Sequence, residues 1–203
     1  MKIFCVGRNY SEHARELNNP EPEKPIIFLK PDTSLLKNNQ PFFYPDFSNE
    51  IHYETELVVK INRVGKNISE RFANRYYSEV AIGIDFTARD LQSEFKQKGL
   101  PWELSKAFDY SAPISNFFNL SEVGEIQNIN FSLKKNNVEV QKSNTSEMIF
   151  SVDYLISFIS KYFTIKIGDI IFTGTPAGVG RVYVGNRLQA YLNDICVLDF
   201  LVK

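Results

Sequence analysis

Histidine, cysteine, methionine and tryptophan are nearly absent: the 203 residues hold two His, two Cys, two Met and one Trp. Cys5 and Cys196 lie near opposite ends, so neither a disulfide framework nor a zinc-ligand spacing is present. Reduced thiols in a cytoplasmic protein are the expectation. Charge of one sign is lacking too. The formal net charge of −1 gives no electrostatic footprint for a nucleic acid and no general attraction to an anionic membrane. No apolar run approaches the length of a membrane span. The apolar stretch at the N-terminus is too short for a signal-peptide core. Core material is plentiful, with 43% hydrophobic residues, 17 Phe and 10 Tyr, and this excludes a disordered chain. The length suits one domain over residues 1–203.

With only two histidines, their neighbours are informative. His52 opens the run His52-Tyr53-Glu54-Thr55-Glu56, which leads into apolar, β-branched residues 57–61. On a strand, residues i and i+2 share a face, which groups His52, Glu54 and Glu56. Two carboxylates so placed repel and lose hydration, and a bound cation relieves both. An exposed edge strand with solvated glutamates satisfies the same spacing and is the commoner fate of charged residues. The other histidine, His13, stands i, i+3 from Glu16 in a helical turn that Asn9 caps, with Glu12 completing a capping box. A carboxylate-backed imidazole suits a general base; a surface contact accounts for the pair equally well.

Asp85 closes the apolar strand 81–86. It is either a third ligand or the N-cap of a helix over 87–97. That helix places Arg89, Gln92 and Lys96 on neighbouring positions of one face, and Gly99 stops it. Lys30, at the end of strand 26–29, and Lys106, after Trp102, are solvated cations by default. Residues 2–6 read as a strand and 69–80 have helical spacing. Beyond Pro113 the chain is β-rich, with a hairpin of 129–134 and 138–142 about Lys135-Asn136-Asn137. Ser151 caps a helix over 152–162, and a strand at 170–172 follows. The glycine-rich loop 173–180 lacks the Gly-Lys-Ser/Thr of a P-loop, yet can bring backbone N–H groups against a carboxylate. Two short strands about Asn193-Asp194 end the chain.

The ordered set of motifs resembles the fumarylacetoacetate hydrolase family, in its compact acylpyruvase and oxaloacetate decarboxylase branch. The matching stretches are Val6-Gly7-Arg8-Asn9-Tyr10 with His13 and Glu16, Phe28-Leu29-Lys30-Pro31, and His52-Tyr53-Glu54-Thr55-Glu56-Leu57. Asp85-Phe86-Thr87-Ala88-Arg89-Asp90, Lys98-Gly99-Leu100-Pro101-Trp102, Lys106, Gly168-Asp169-Ile170-Ile171 and the glycine-rich loop continue them. The resemblance implies an α+β, β-rich fold, a mixed β-roll with peripheral helices, in a homodimer. It implies a metal held by Glu54, Glu56 and Asp85, with Mg²⁺ or Mn²⁺ expected and Ca²⁺ admitted. It implies His13 and Glu16 as a catalytic base pair on a segment that orders over the substrate. It implies that Lys106 helps hold the polarised oxygens, with Lys30, Arg89, Gln92 and Thr175 lining the pocket. His52 becomes a supporting or structural residue.

The activity so implied is hydrolysis of the C–C bond of acylpyruvates or related small 2-oxo acids. Oxaloacetate decarboxylation and keto–enol tautomerisation share the same enolate and are its alternatives. A non-catalytic metal-binding protein is the alternative of another class, opposed by the presence of every ligand, the base pair and the lysine. Two departures bear on substrate: Tyr53 stands where this branch often has a second His, and the extra N-terminal domain of longer members is missing. The second argues against fumarylacetoacetate itself.

Overall fold

Residues such as Leu57-Val58-Val59 and Ala81-Ile82 are apolar in succession, not in alternation, because the sheet they build is covered on both faces. The computed structural model describes residues 1–16 and 20–203. Part of the segment expected to order over the substrate, residues 17–19, lies outside these. In chain order the elements are β1 (Ile3–Gly7), α1 (Ser11–Glu16), β2 (Ile26–Lys30), β3 (Leu35–Leu36), β4 (Ile51–Tyr53) and β5 (Thr55–Ile61). Then come β6 (Tyr77–Ile84), β7 (Thr87–Ala88), α2 (Arg89–Lys98), α3 (Glu103–Lys106), β8 (Ala112–Pro113), β9 (Phe118–Asn119) and α4 (Leu120–Val123). The chain ends with β10 (Asn130–Lys135), β11 (Val138–Asn144), α5 (Val152–Tyr162), β12 (Ile170–Phe172), β13 (Gly180–Arg181), β14 (Arg187–Leu192) and β15 (Ile195–Leu201).

A six-stranded sheet, ordered β2-β1-β12-β5-β6-β9, forms the centre. Its one parallel pair, β1 with β12, sets Ile3 beside Ile170; Asp169 fixes that register by accepting the Lys2 N–H at 2.8 Å. One face carries the larger core, including Phe4, Leu57, Val59, Ile82 and Ile171. The other packs Ile3, Cys5, Val58, Ala81 and Phe172. A four-stranded antiparallel sheet, β11-β10-β14-β15, closes over the larger core. Its hairpins turn at Asn136-Asn137 (φ 52° and 66°) and Asn193 (φ 49°), where asparagine tolerates the left-handed region best among residues with a side chain. The result is the strand-rich α+β architecture expected.

Helix α5 forms where its spacing predicts. The Ser151 hydroxyl accepts the Tyr154 N–H at 3.1 Å, and Val152, Leu155, Ile156 and Ile159 turn inward. The helix expected over 69–80 does not form. A 3₁₀ stretch, Glu70–Arg75, occupies its first half, and β6 starts at Tyr77. Pairing of Tyr77 with Ile61 and Val80 with Val59 outweighs local helical spacing, as strand partners can for aromatic and β-branched residues. Among the described residues, no helix is long and apolar enough to cross a membrane.

Candidate active site

The glutamate strand is two strands. β5 pairs with β6 in the large sheet, while β4 pairs with β7 and β13 in a three-stranded sheet. The paired chains change sheets together, and the residues at the change are Glu54 and Asp85. The Asp85 N–H donates to the Glu54 carbonyl at 2.7 Å, so one backbone bond spans the bend on both chains. Glu56, one residue into β5, completes a triad: each acid offers an oxygen within 4.8 Å of the others. Glu54, Glu56 and Asp85 are 5%, 1% and 1% exposed, which removes the reading of solvated edge glutamates. The N-cap reading of Asp85 goes too, because α2 begins four residues later, after Ala88, with no side-chain cap.

Cations surround the acids unequally. Lys106 Nζ lies 2.7 Å from Glu54 Oε2 and 2.7 Å from Asp85 Oδ2. Arg89 pairs with the other oxygen of Glu54 and donates to Gln92 Oε1 at 2.6 Å. Lys30 Nζ stands 2.8 Å from Asp85 Oδ1, out of hydrogen-bond alignment, and donates to Ser111 Oγ at 2.8 Å and to the Lys106 carbonyl. Burial opposes ionisation of Glu54, but Lys106 and Arg89 overcome it and hold its carboxyl well below the usual range. Glu56 goes the other way. Burial, Asp85 and Glu54 push its carboxyl well up, offset in part by the Gly174 N–H, which it accepts at 2.7 Å. Burial lowers Lys106, but Asp85 and Glu54 raise it further, and the ammonium keeps its proton. Neither lysine is the solvated cation that base rates favour: both are buried, against carboxylates brought from distant parts of the chain.

α1 sits over this cluster. His13 Nδ1 is 3.2 Å from Glu16 Oε2, and the Glu16 carboxylate also accepts the Gly178 N–H at 3.1 Å. The glycine-rich loop thus holds both the His13–Glu16 pair, through Gly178, and the triad, through Gly174. Asn9 does not cap α1. Its side chain bonds across the fold, to Thr173 O at 2.8 Å, Phe150 O at 3.0 Å and Phe150 N at 2.8 Å. Gln141 was not singled out by the sequence. It accepts the Thr55 N–H at 3.0 Å and donates to Thr175 Oγ1 at 2.9 Å and Pro176 O at 3.0 Å, which pins the loop to the glutamate strand. Nothing local marks either residue, because their partners are far away in sequence.

Gly178 has φ 94°, and a Cβ there would stand 2.3 Å from the Val140 carbonyl oxygen. Gly178→Ala is therefore expected to displace the loop from Glu16 and lower kcat about 10²-fold, the scale of a misplaced catalytic group. Steady-state kinetics beside a melting curve checks this; unchanged kcat with normal melting would show that the loop does not position the base.

One cavity joins these parts. Glu54, Glu56, Asp85, Lys106, His13, Arg89, Gln92 and Thr175 line it, with Arg8, Phe28, Lys96 and Trp102. Lys30 is not on its wall but behind Asp85. His52 is also off the wall, bonded through Nε2 to Glu50 at 2.9 Å. A larger, apolar cleft bordered by Leu91, Leu104 and Phe108 contains none of the triad.

The family model described as fumarylacetoacetate (FAA) hydrolase C-terminal matches residues 2–200. Oxaloacetate tautomerase FAHD1, mitochondrial, of Bos taurus is 41% identical over 201 residues, covering 99% of this chain and 91% of that protein. Oxaloacetate tautomerase YcgM of Escherichia coli (strain K12) is 39% identical over 188 residues, 92% of this chain and 86% of that one. The crystal structure of fumarylpyruvate hydrolase from Pseudomonas aeruginosa in complex with Mn²⁺ and pyruvate superposes with a TM-score of 0.94 at 37% identity. The match covers 100% of this chain and 89% of that one.

Proposed function

This chain belongs to the fumarylacetoacetate hydrolase family, and from that footing we propose that residues 1–203 form one catalytic unit that takes a 2-oxo acid to its enolate, with acids that would hold a divalent cation. The observation that carries the reading is the buried triad with Lys106 between two of its members and the His13–Glu16 pair above it. The residues fit a hard divalent cation. Three carboxylates converge, and Asp85 Oδ1, with Lys30 Nζ 2.8 Å away, accepts no aligned hydrogen bond. Glu54, Glu56 and Asp85 would hold the ion, Mg²⁺ or Mn²⁺ by the oxygen-only donor set. Bound there, it supplies Lewis acidity toward the oxygens of the substrate.

The chain's own groups do the rest. With Nδ1 hydrogen-bonded to Glu16, the neutral His13 ring carries its proton there and keeps Nε2 free to accept one. Burial holds His13 below the ordinary imidazole value, despite the opposing pull of Glu54 and Glu16, so the ring is neutral near pH 7. For C–C hydrolysis of an acylpyruvate, His13 takes a proton from water, whose oxygen attacks the distal carbonyl. Lys106 faces the negative charge that develops as the pyruvate fragment leaves. A second reading, tautomerisation or decarboxylation of oxaloacetate, is favoured by relatives named oxaloacetate tautomerase. In tautomerisation His13 moves a proton at C3, and no water attacks.

Turnover of acetylpyruvate, oxaloacetate and 2-oxohept-3-enedioate with Mg²⁺ or Mn²⁺, each against a chelated control, tests the proposal. Metal-dependent turnover of at least one is expected, and none on any would sink the enzyme reading. Two free cysteines, one exposed, suit a reducing cytoplasm.

A homodimer is part of the same proposal. Leu104 (71% exposed) and Phe47 (48% exposed) border the apolar cleft, while α3 also carries Lys106 into the triad. A second copy covering this face would brace α3. Leu104→Glu is expected to halve the mass seen by light scattering; a parent that is already monomeric would contradict the dimer.

A further inference from the structure

We propose that Arg8 and Lys96 form a second anion site in the pocket, which takes the distal carboxylate of a 2-oxo dicarboxylic acid and so selects for that class. The inference rests on the 2-oxo acid reading above and names the part of the substrate that reading leaves open.

The cavity wall carries four cations, Arg8, Arg89, Lys96 and Lys106, against the three carboxylates of the triad. Arg89 and Lys106 are engaged on Glu54 and Asp85. Arg8 and Lys96 make no ion pair or side-chain hydrogen bond with any described residue. Lys96 is nonetheless held in place: its ammonium lies 5.4 Å from the centroid of Trp102, another wall residue. Burial, with Arg89 and Arg8 as like-charged neighbours, depresses it to about 8. Neither Arg8 nor Lys96 has a carboxylate within ion-pair distance among the described residues, and a bound anion would offset the repulsion that Lys96 feels from Arg89 and Arg8.

Arg8 adds an independent observation. Its backbone sits in the left-handed region at φ 59°. Of the other seven described non-glycine residues with positive φ, six are asparagine and one is Tyr110. Asparagine or glycine would make this bend more cheaply. The bend is enforced by the next residue, Asn9, through its three bonds to Phe150 and Thr173. An arginine kept on a strained bend at the edge of a pocket points to a role for its side chain.

On the reading above, the triad and its cation would take the carboxylate and 2-oxo oxygen of the substrate, and Arg8 and Lys96 line the same cavity. A substrate whose tail is neutral leaves Arg8 and Lys96 uncompensated. A second carboxylate meets a planar guanidinium fork and an ammonium, the two groups best suited to it.

The test uses Arg8→Asn, which keeps a residue at ease with positive φ, and Lys96→Gln. Each is expected to lower the ratio of kcat/KM on oxaloacetate to kcat/KM on acetylpyruvate, through KM, by roughly 10- to 100-fold, the scale of one charged hydrogen bond. An unchanged ratio overturns the proposal, even where both activities fall. A binding measurement separates this from the enzyme reading. By calorimetry with Mg²⁺, the parent should bind 2-oxoglutarate at least about tenfold tighter than 2-oxopentanoate, which has the same carbon chain without the second carboxylate, and the variants should lose the difference. Equal affinity in the parent overturns the anion site whatever the turnover. A clear preference without turnover of any substrate upholds the site and overturns only the enzyme reading.

Discussion

Glu56→Gln is expected to raise the melting temperature of the metal-free protein and to abolish its stabilisation by Mg²⁺ or Mn²⁺. The two effects have opposite signs and one cause. Glu56 has the Gly174 N–H as its hydrogen-bond donor, no cation within salt-bridge distance, and two carboxylates within 4.8 Å. Its charge opposes folding, and its carboxyl is accordingly pushed up by burial, Asp85 and Glu54. The sign is that of an acid whose folded-state value is raised: the penalty is absent at low pH and grows as pH climbs above the ordinary carboxyl range. A glutamine amide keeps an acceptor for Gly174 and removes the repulsion. We expect a gain of about 1–2 kcal/mol, which for a chain of this size is roughly 2–8 °C. On the proposed assignment, the same charge is one of three that would hold the cation. The parent should gain about 2.7 kcal/mol when metal is present at 100 times its Kd, and the variant should gain little. Turnover should fall at least about 10³-fold with the cation's contribution lost. Melting curves with and without metal decide the matter. A variant less stable than the parent when metal-free, yet still shifted by metal, would place Glu56 in the structure and not in the cation site.

His13→Ala is expected to reduce acylpyruvate hydrolysis by about 10³-fold while leaving the metal-induced thermal shift intact. His13 contacts Glu16 and none of the triad acids directly, so on the proposed roles its loss should remove the base and spare the ligands. The alternative reactions respond differently. Tautomerisation needs a proton moved at C3 and should fall with hydrolysis, whereas decarboxylation needs no water attack and should persist. The pH profile supplies a second sign. Because burial lowers His13, the acid limb of kcat/KM should inflect below the ordinary imidazole value of 6.5, with activity rising to a plateau at neutral pH. An inflection above 6.5, or a large loss of metal binding in His13→Ala, would contradict the assigned role.

How much of this was legible in the sequence differs from residue to residue. The i, i+2 spacing of Glu54 and Glu56 pointed to a shared face, but the strand they were read on is broken between them by a change of sheet. The site exists because of that break. Asp85 could be read as a helix cap because caps and ligands draw on the same residue type; only the pairing of β5–β6 and β4–β7 places it beside Glu54. Local helices and turns were open to reading where the signal is local, as at Ser151 and at the αL asparagines 136, 137 and 193. Residues 69–80 misled because their helical spacing competes with antiparallel pairing to the preceding strand, β5, which no local signal in 69–80 records. Lys30, Lys106, Asn9 and Gln141 have in common that their partners lie tens to more than a hundred residues away. Composition and spacing carry no record of such partners. The resemblance to a family supplied Lys30 and Lys106, and nothing supplied Gln141 or the cross-fold role of Asn9.

The central claim is that Glu54, Glu56 and Asp85 hold the cation on which a 2-oxo acid reacts. Anomalous diffraction from crystals soaked in Mn²⁺ tests it most directly. The account predicts one strong peak in contact with an oxygen of each of the three carboxylates, at roughly the 2.0–2.2 Å expected of a small hard divalent cation. Metal-dependent turnover with no peak at that point, or with the peak on other residues, would contradict it.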